Sequence, residues 1–192
     1  MDREWRKSAQ RIHIGGVFAS RESEVVYTLL GSCIAVCLRD PVTQVGGMNH
    51  FMLPSTTEGE KAGARYGVQA MELLINACMK KGADRSRLEA KVFGGGHVLR
   101  VRESADNVPR SNIKFALKFL NTERIPIVSR DLGGYVGREI FFFTDTGKTL
   151  LKRMQSTHGD KALIAVETSV REHLRVVTNP APSADDSNIT LF

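Results

Sequence analysis

The chain has 192 residues, of which 42 % are hydrophobic, 25 % charged and 7 % aromatic, so it is neither disordered overall nor collagen-like. No apolar run approaches the roughly 20 residues that span a bilayer. The charged start MDREWRKSAQR lacks a secretory pattern, and three cysteines without a CxxC pair make no disulfide framework, so a reducing cytoplasmic location is expected. The 27 Lys and Arg against 21 Asp and Glu leave a charge of +6, which suits an acidic partner. No zinc-finger spacing or RNP-type aromatic motif accompanies that charge, so nucleic acid is not the expected partner.

In chain order, residues 1–11 read as a charged extension, 12–178 as one domain and 179–192 as a tail of PAPSADDSN composition. VVYTLL (Val25–Leu30) and IAVCL (Ile34–Leu38) are β-branched apolar runs broken by Gly31-Ser32. Asp40-Pro41 opens a turn, and VGGMNHFML (Val45–Leu53) is the return strand. Residues 55–65 read as a loop. The spacing of Val68, Met71, Ile75 and Cys78 predicts a helix over Tyr66–Lys81, stopped by Gly82. LEAKVF (Leu88–Phe93) predicts a strand running into Gly94–Gly96. Ser111 would cap a second helix with Ile113, Ala116, Leu117 and Leu120 inward. IPIVS (Ile125–Ser129) is a strand and Asp131–Gly134 a loop. REIFFF (Arg138–Phe143) and KTLLKRM (Lys148–Met154) flank Asp145-Thr146-Gly147 as a hairpin. A last apolar piece lies within 162–177. The mixed order predicts a single-domain α/β or α+β sandwich, a mixed or antiparallel sheet covered by helices.

Cys78 and Cys37 fall on apolar faces and read as packed thiols. Cys33 follows Gly31-Ser32 at a bend, where its sulfur and the nearby backbone N–H groups can face one site. If IAVCL pairs with VGGMNHFML through a two-residue turn, Cys33 lies directly opposite His50, with Cβ atoms ~4.5–5.5 Å apart. A four-residue loop makes them diagonal neighbours on the same face. A three-residue loop puts them on opposite faces unless Gly46-Gly47 is a bulge. An imidazole beside a thiol accepts its proton and later protonates a leaving group. Thr28 is a candidate to orient the imidazole, with Asp131 and Asp145 as rivals. The glycines at 94–96 and around Asp131 are candidate N–H donors to an oxyanion. No Walker A motif or strand-linked GxGxxG occurs, so phosphate binding is unsupported, and the histidines show no metal-ligand spacing, so no metal is expected.

LLGSCIAVCLRDP (Leu29–Pro41), GGMNHFMLP (Gly46–Pro54), RYGVQAMELLIN (Arg65–Asn76), LEAKVFGGG (Leu88–Gly96) and IPIVSRDLGGYVGREIFF (Ile125–Phe142) occur in this order. The series, over about residues 12–155, resembles the CheD family of chemoreceptor glutamine deamidases. The resemblance implies a cofactor-free, cysteine-dependent hydrolase that converts receptor glutamines to glutamates through a thioester. It also implies a sandwich akin to the cytotoxic necrotizing factor deamidases. It places the nucleophile on Cys33, the histidine on His50 and the third residue, a threonine, on Thr28. Where the family carries an IGxRN-like stretch this chain reads NVPRSN (Asn107–Asn112), keeping Asn112 and losing the glycine. The implied partners are the cytoplasmic domain of chemoreceptors and, for some members, a CheC-like chemotaxis phosphatase. A non-enzymatic regulator that binds such a phosphatase or receptor is the alternative function, and a nucleic-acid binder a third.

Overall fold

The computed structural model describes residues 5–54, 60–98, 108–154, 165, 167–170 and 172. Two sheets and the helices form three layers. A five-stranded sheet has the order β2 (Val17–Ser20), β5 (Gly46–Phe51), β4 (Ile34–Arg39), β6 (Glu89–Gly94), β7 (Ile127–Leu132). A four-stranded sheet has the order β1 (Gln10–Arg11), β3 (Val25–Leu30), β8 (Arg138–Phe143), β9 (Thr149–Arg153). The short helix α1 (Trp5–Ser8) precedes β1, and helices α2 (Glu60–Lys80) and α3 (Val108–Thr122) cover the larger sheet.

Two faces of β4 and β5 explain the layering. Ile34, Val36 and Leu38, with Phe51 and Leu53, pack against Met71, Leu74 and Ile75 of α2 and Ala116 and Leu120 of α3. Cys33, Ala35, Cys37, Met48 and Met52 point the other way, toward Val26 and Leu30 of β3 and Ile140 and Phe142 of β8. Both strands are therefore buried on both faces, as a central sheet between two layers demands. On β3 the alternation is clean: Val26, Thr28 and Leu30 are buried and their neighbours half-buried.

Some boundaries and faces differ from expectation. Helix α2 starts at Glu60 rather than Tyr66, within the segment read as a loop. Val68 is 42 % exposed, and Gly67 takes the inward place. A Cβ on Gly67 would lie 2.5 Å from the Phe115 ring, so the bare glycine lets α2 and α3 approach. Helix α3 begins at Val108, not after a Ser111 cap, and buries Asn112, Ala116, Phe119 and Leu120. Strand β7 runs on through Asp131 and Leu132, which the sequence placed in a loop, because it pairs in parallel with β6 as far as Gly94. Residues 5–11 are seated on the smaller sheet: β1 pairs with β3, and Trp5 stacks edge-on against Phe141 and Phe143. The tail 179–192 and most of the apolar piece in 162–177 lie outside the described residues, as does part of the NVPRSN loop. Among the described residues, no helix is long and apolar enough to cross a membrane.

Candidate active site

The β4–β5 hairpin sets the first pair of residues. Ala35 lies opposite His50 and Ile34 opposite Phe51. The loop has four residues, closed by Asp40 N–H donating to Val45 O at 2.9 Å. Of the three registers the sequence allowed, this is the one in which Cys33 and His50 are diagonal neighbours on one face. The register is held by a buried carboxylate. Asp40 accepts from the N–H groups of Val42 (2.9 Å) and Asp84 (2.9 Å) and from Arg87 Nη2 (2.7 Å).

Thr28 reaches His50 across the layer between the sheets. Its Oγ donates to the carbonyl of Ile12 at 2.8 Å and lies 2.7 Å from His50 Nδ1. A hydroxyl has one proton. With that proton on Ile12, Nδ1–H must be the donor to Thr28, which assigns the tautomer and leaves Nε2 as a bare acceptor. His50 Nε2 is buried and meets no hydrogen-bond partner among the described residues. Burial, then the charges of His13 and Arg11, push the imidazole pKa down to about 3, so the ring is neutral near pH 7. Asp131 and Asp145, the rival orienters, are engaged elsewhere: Asp131 with Arg138 and Arg153, Asp145 with the N–H of Thr146.

The turn that carries Cys33 is held by its carbonyls on one side and by its N–H groups on the other. Gly96 N–H donates to Gly31 O at 2.6 Å, Asn112 Nδ2 to Ser32 O at 2.8 Å, and Gly95 N–H to Cys33 O at 2.7 Å. Gly94 has φ +114° and its Cβ would lie 2.1 Å from Cys33 O, so only glycine fits there. The triple glycine thus holds the turn's carbonyls, and the N–H groups of Gly95 and Gly96 are not available to an oxyanion. The available donors are the turn's own. The N–H groups of Gly31, Ser32 and Cys33 converge on Glu167 Oε1 at 3.0, 2.9 and 3.4 Å, and Ser32 Oγ donates to Oε2 at 2.7 Å. Successive N–H groups aimed at one point make an anion cradle.

Cys33 has no exposed surface and His50 is 3 % exposed. The Tyr66 hydroxyl lies near enough to Cys33 for a thiolate there to raise the tyrosine pKa, after the larger effect of burial. Cys37 and Cys78 are packed thiols; burial raises both, Cys78 to about 12. Sequence reasoning missed Glu167, which lies 134 residues from Cys33 and stands in no motif with it. Asn112 was legible in principle: it stands four residues before Ala116, on the inward side of α3. Among the described residues, no cluster of three His, Cys, Asp or Glu side chains is placed to hold a metal ion.

A histidine locked by a hydroxyl, diagonal to a cysteine whose own turn forms an N–H cradle, defines the class: a layered α/β protein with a candidate cysteine–histidine site between two sheets. The sequence model for CheD chemotactic sensory transduction matches residues 52–153, more than half of the chain. The chain belongs to the CheD family. It is 46 % identical over 161 residues to the probable chemoreceptor glutamine deamidase CheD 1 of Shewanella oneidensis, covering 82 % of this chain and 78 % of that one. It is 48 % identical over 153 residues to the probable chemoreceptor glutamine deamidase CheD of Stenotrophomonas maltophilia, covering 80 % and 76 %. It is 45 % identical over 161 residues to the CheD 1 of Dechloromonas aromatica with the same description, covering 83 % and 80 %.

Proposed function

We propose that the chain is a protein-glutamine deamidase that converts glutamine side chains of chemoreceptor cytoplasmic domains to glutamates in the cytoplasm. The observation that carries this reading is the Thr28–His50 contact, which leaves His50 Nε2 unprotonated on the face it shares with Cys33. Family membership and the printed descriptions of the relatives support the substrate.

The residues then act as follows. His50 Nε2 takes the Cys33 thiol proton, and the sulfur attacks the carboxamide carbon. The N–H groups of Gly31, Ser32 and Cys33 stabilise the oxyanion, a contribution worth roughly 3–4 kcal/mol per donor in comparable sites. The imidazolium protonates the departing nitrogen, ammonia leaves and a thioester remains. His50 then takes a proton from water, hydroxide opens the thioester, and glutamate and the thiol are released. A CheC-like phosphatase is a second partner in this reading.

The test is mass spectrometry of a receptor cytoplasmic domain after incubation, with ammonia measured in parallel. A one-unit gain at particular glutamines, absent with Cys33→Ala, is the expected result. No gain from the folded wild-type protein, together with phosphatase capture that survives Cys33→Ala, would make the chain a non-enzymatic regulator instead.

A further inference from the structure

Glu167 makes more hydrogen bonds to the Cys33 turn than any other side chain described. It lies in a segment whose described residues are helical, Ala165, 167–170 and Glu172. Two side chains of this segment face inward at a spacing of three: Glu167, with no exposed surface, and Val170, packed against the inter-sheet core. Ala165, Thr168, Ser169 and Glu172 are exposed. The contact is thus a one-sided helical docking with a charged tip and an apolar heel.

We propose that the turn Gly31–Cys33 is a carboxylate-binding site which the chain fills with its own Glu167, so that this helical segment competes with the substrate glutamine. The inference rests on the reading of Cys33 as the nucleophile. Four features carry it. A glutamate side chain matches glutamine in length, and a glutamate carboxylate is the reaction's product, so Glu167 is a tethered copy of the product. A buried carboxylate is costly unless donors surround it, and here three N–H groups and a hydroxyl do so. Those are the same donors the oxyanion requires. Last, Glu167 occupies all of these donors beside a Cys33 that has no exposed surface, so a substrate carboxamide has to displace the carboxylate to use them.

The consequence is a local competition. A tethered ligand acts at an effective concentration of about millimolar. It raises the apparent KM for the receptor and leaves kcat nearly unchanged, because the displaced state is the same with or without the competitor. The bound carboxylate also sets a negative charge beside Cys33. A receptor that displaces the segment removes that charge and admits water to His50 in one step.

The test reads the thiols directly, independently of deamidation. The full-length protein is treated with iodoacetamide, and alkylation of Cys33, Cys37 and Cys78 is followed separately by mass spectrometry. Glu167→Ala should react at Cys33 on the order of tenfold faster than wild type, with Cys37 and Cys78 still unreactive. N-acetylglutamate at millimolar concentration should slow Cys33 alkylation in Glu167→Ala and have little effect on wild type. If Glu167→Ala loosens the fold, seen as reaction of Cys37 and Cys78 as well, Glu167→Gln decides: it keeps the shape, loses the charge, and must still speed Cys33 several-fold with the other two silent. Equal Cys33 rates in wild type and the folded variants would overturn the proposal. A positive alkylation result without deamidation in any form would remove the proposed function and leave the carboxylate site standing.

Discussion

At the scale of single residues, the site depends on where protons and donors point. Cys33→Ala should lower deamidation by on the order of 10⁴, and His50→Ala by a similar factor, with the double variant no worse than the worse single one. Additive losses in ammonia release would separate the two residues. Asn112 acts through the Cys33 turn, as a positioning residue. It donates to Ser32 O and accepts from Leu53 N–H at 2.8 Å, with no exposed surface. Asn112→Ala releases the Ser32–Cys33 peptide, so the Cys33 N–H loses its fixed direction. Loss of one such donor costs about 10²-fold in kcat, whereas a structural role alone would lower Tm and leave kcat of the folded fraction intact. Steady-state kinetics well below Tm, with kcat and KM resolved, distinguish the two.

At the scale of elements, the hairpin β4–β5 shows what was legible in the sequence and what was not. Apolar alternation located both strands to within a residue or two, and the pairing of Cys33 with His50 on one face followed from it. Loop length was not fixed by alternation, because two- and four-residue loops keep the same faces together. The choice is made by Asp40, whose carboxylate gathers N–H groups and a guanidinium contributed from as far away as Arg87. Helix α3 was misread for a related reason: its inward face carries a polar Asn112 that hydrophobic periodicity does not count. Glu167 was beyond reach because its partners, apart from the Ser32 hydroxyl, are backbone groups 134 to 136 residues away, which leave no side-chain signature. Asp40 also gives an acid-stability prediction. The Arg87 hydrogen bond holds its carboxyl well below the usual carboxylate range, so the ionised form belongs to the folded state. That stability is present above the unfolded pKa of about 3.9 and is lost as pH falls further toward the folded value. Asp40→Asn should cost about 1–3 kcal/mol at pH 7, since the donors on one of the two oxygens lose their acceptor and face an NH2 instead, and urea midpoints of the variant should vary less than wild type below pH 4.

At the scale of the whole molecule, three layers place the site between the two sheets, on the face of the larger sheet turned away from α2 and α3, and the chain carries +6 overall. Net charge acts on encounter rather than on the buried pair. Raising ionic strength from about 0.05 to 0.5 M shortens the Debye length from roughly 14 to 4 Å. With an acidic receptor domain kcat/KM should fall several-fold at nearly constant kcat, whereas a short neutral glutamine peptide should show little change. Equal salt sensitivity for both substrates would rule out steering. His50 adds a second pH dependence. Its folded pKa is depressed to about 3 while the unfolded value is near 6.5, so the neutral ring contributes stability above pH 6.5 that declines as pH falls. Thermal melts between pH 7 and pH 5 should show that decline, and His50→Gln should flatten it.

The seating of the amino-terminal segment gives the protein an optical gauge of its own proton placement. Trp5 is the single tryptophan, with ring centroids 5.0 Å from Phe141 and 5.3 Å from Phe143. The same segment delivers the Ile12 carbonyl, anchored by Ile12 N–H to Tyr27 O at 3.0 Å, and that carbonyl holds the Thr28 hydroxyl proton. If the segment lifts, the hydroxyl turns to donate to His50 Nδ1, the ring proton moves to Nε2, and the acceptor facing Cys33 disappears. Tryptophan fluorescence therefore reports the tautomer indirectly. Conditions that shift its emission to the red while circular dichroism still shows the folded chain should abolish deamidation, and those that keep the emission blue should preserve it.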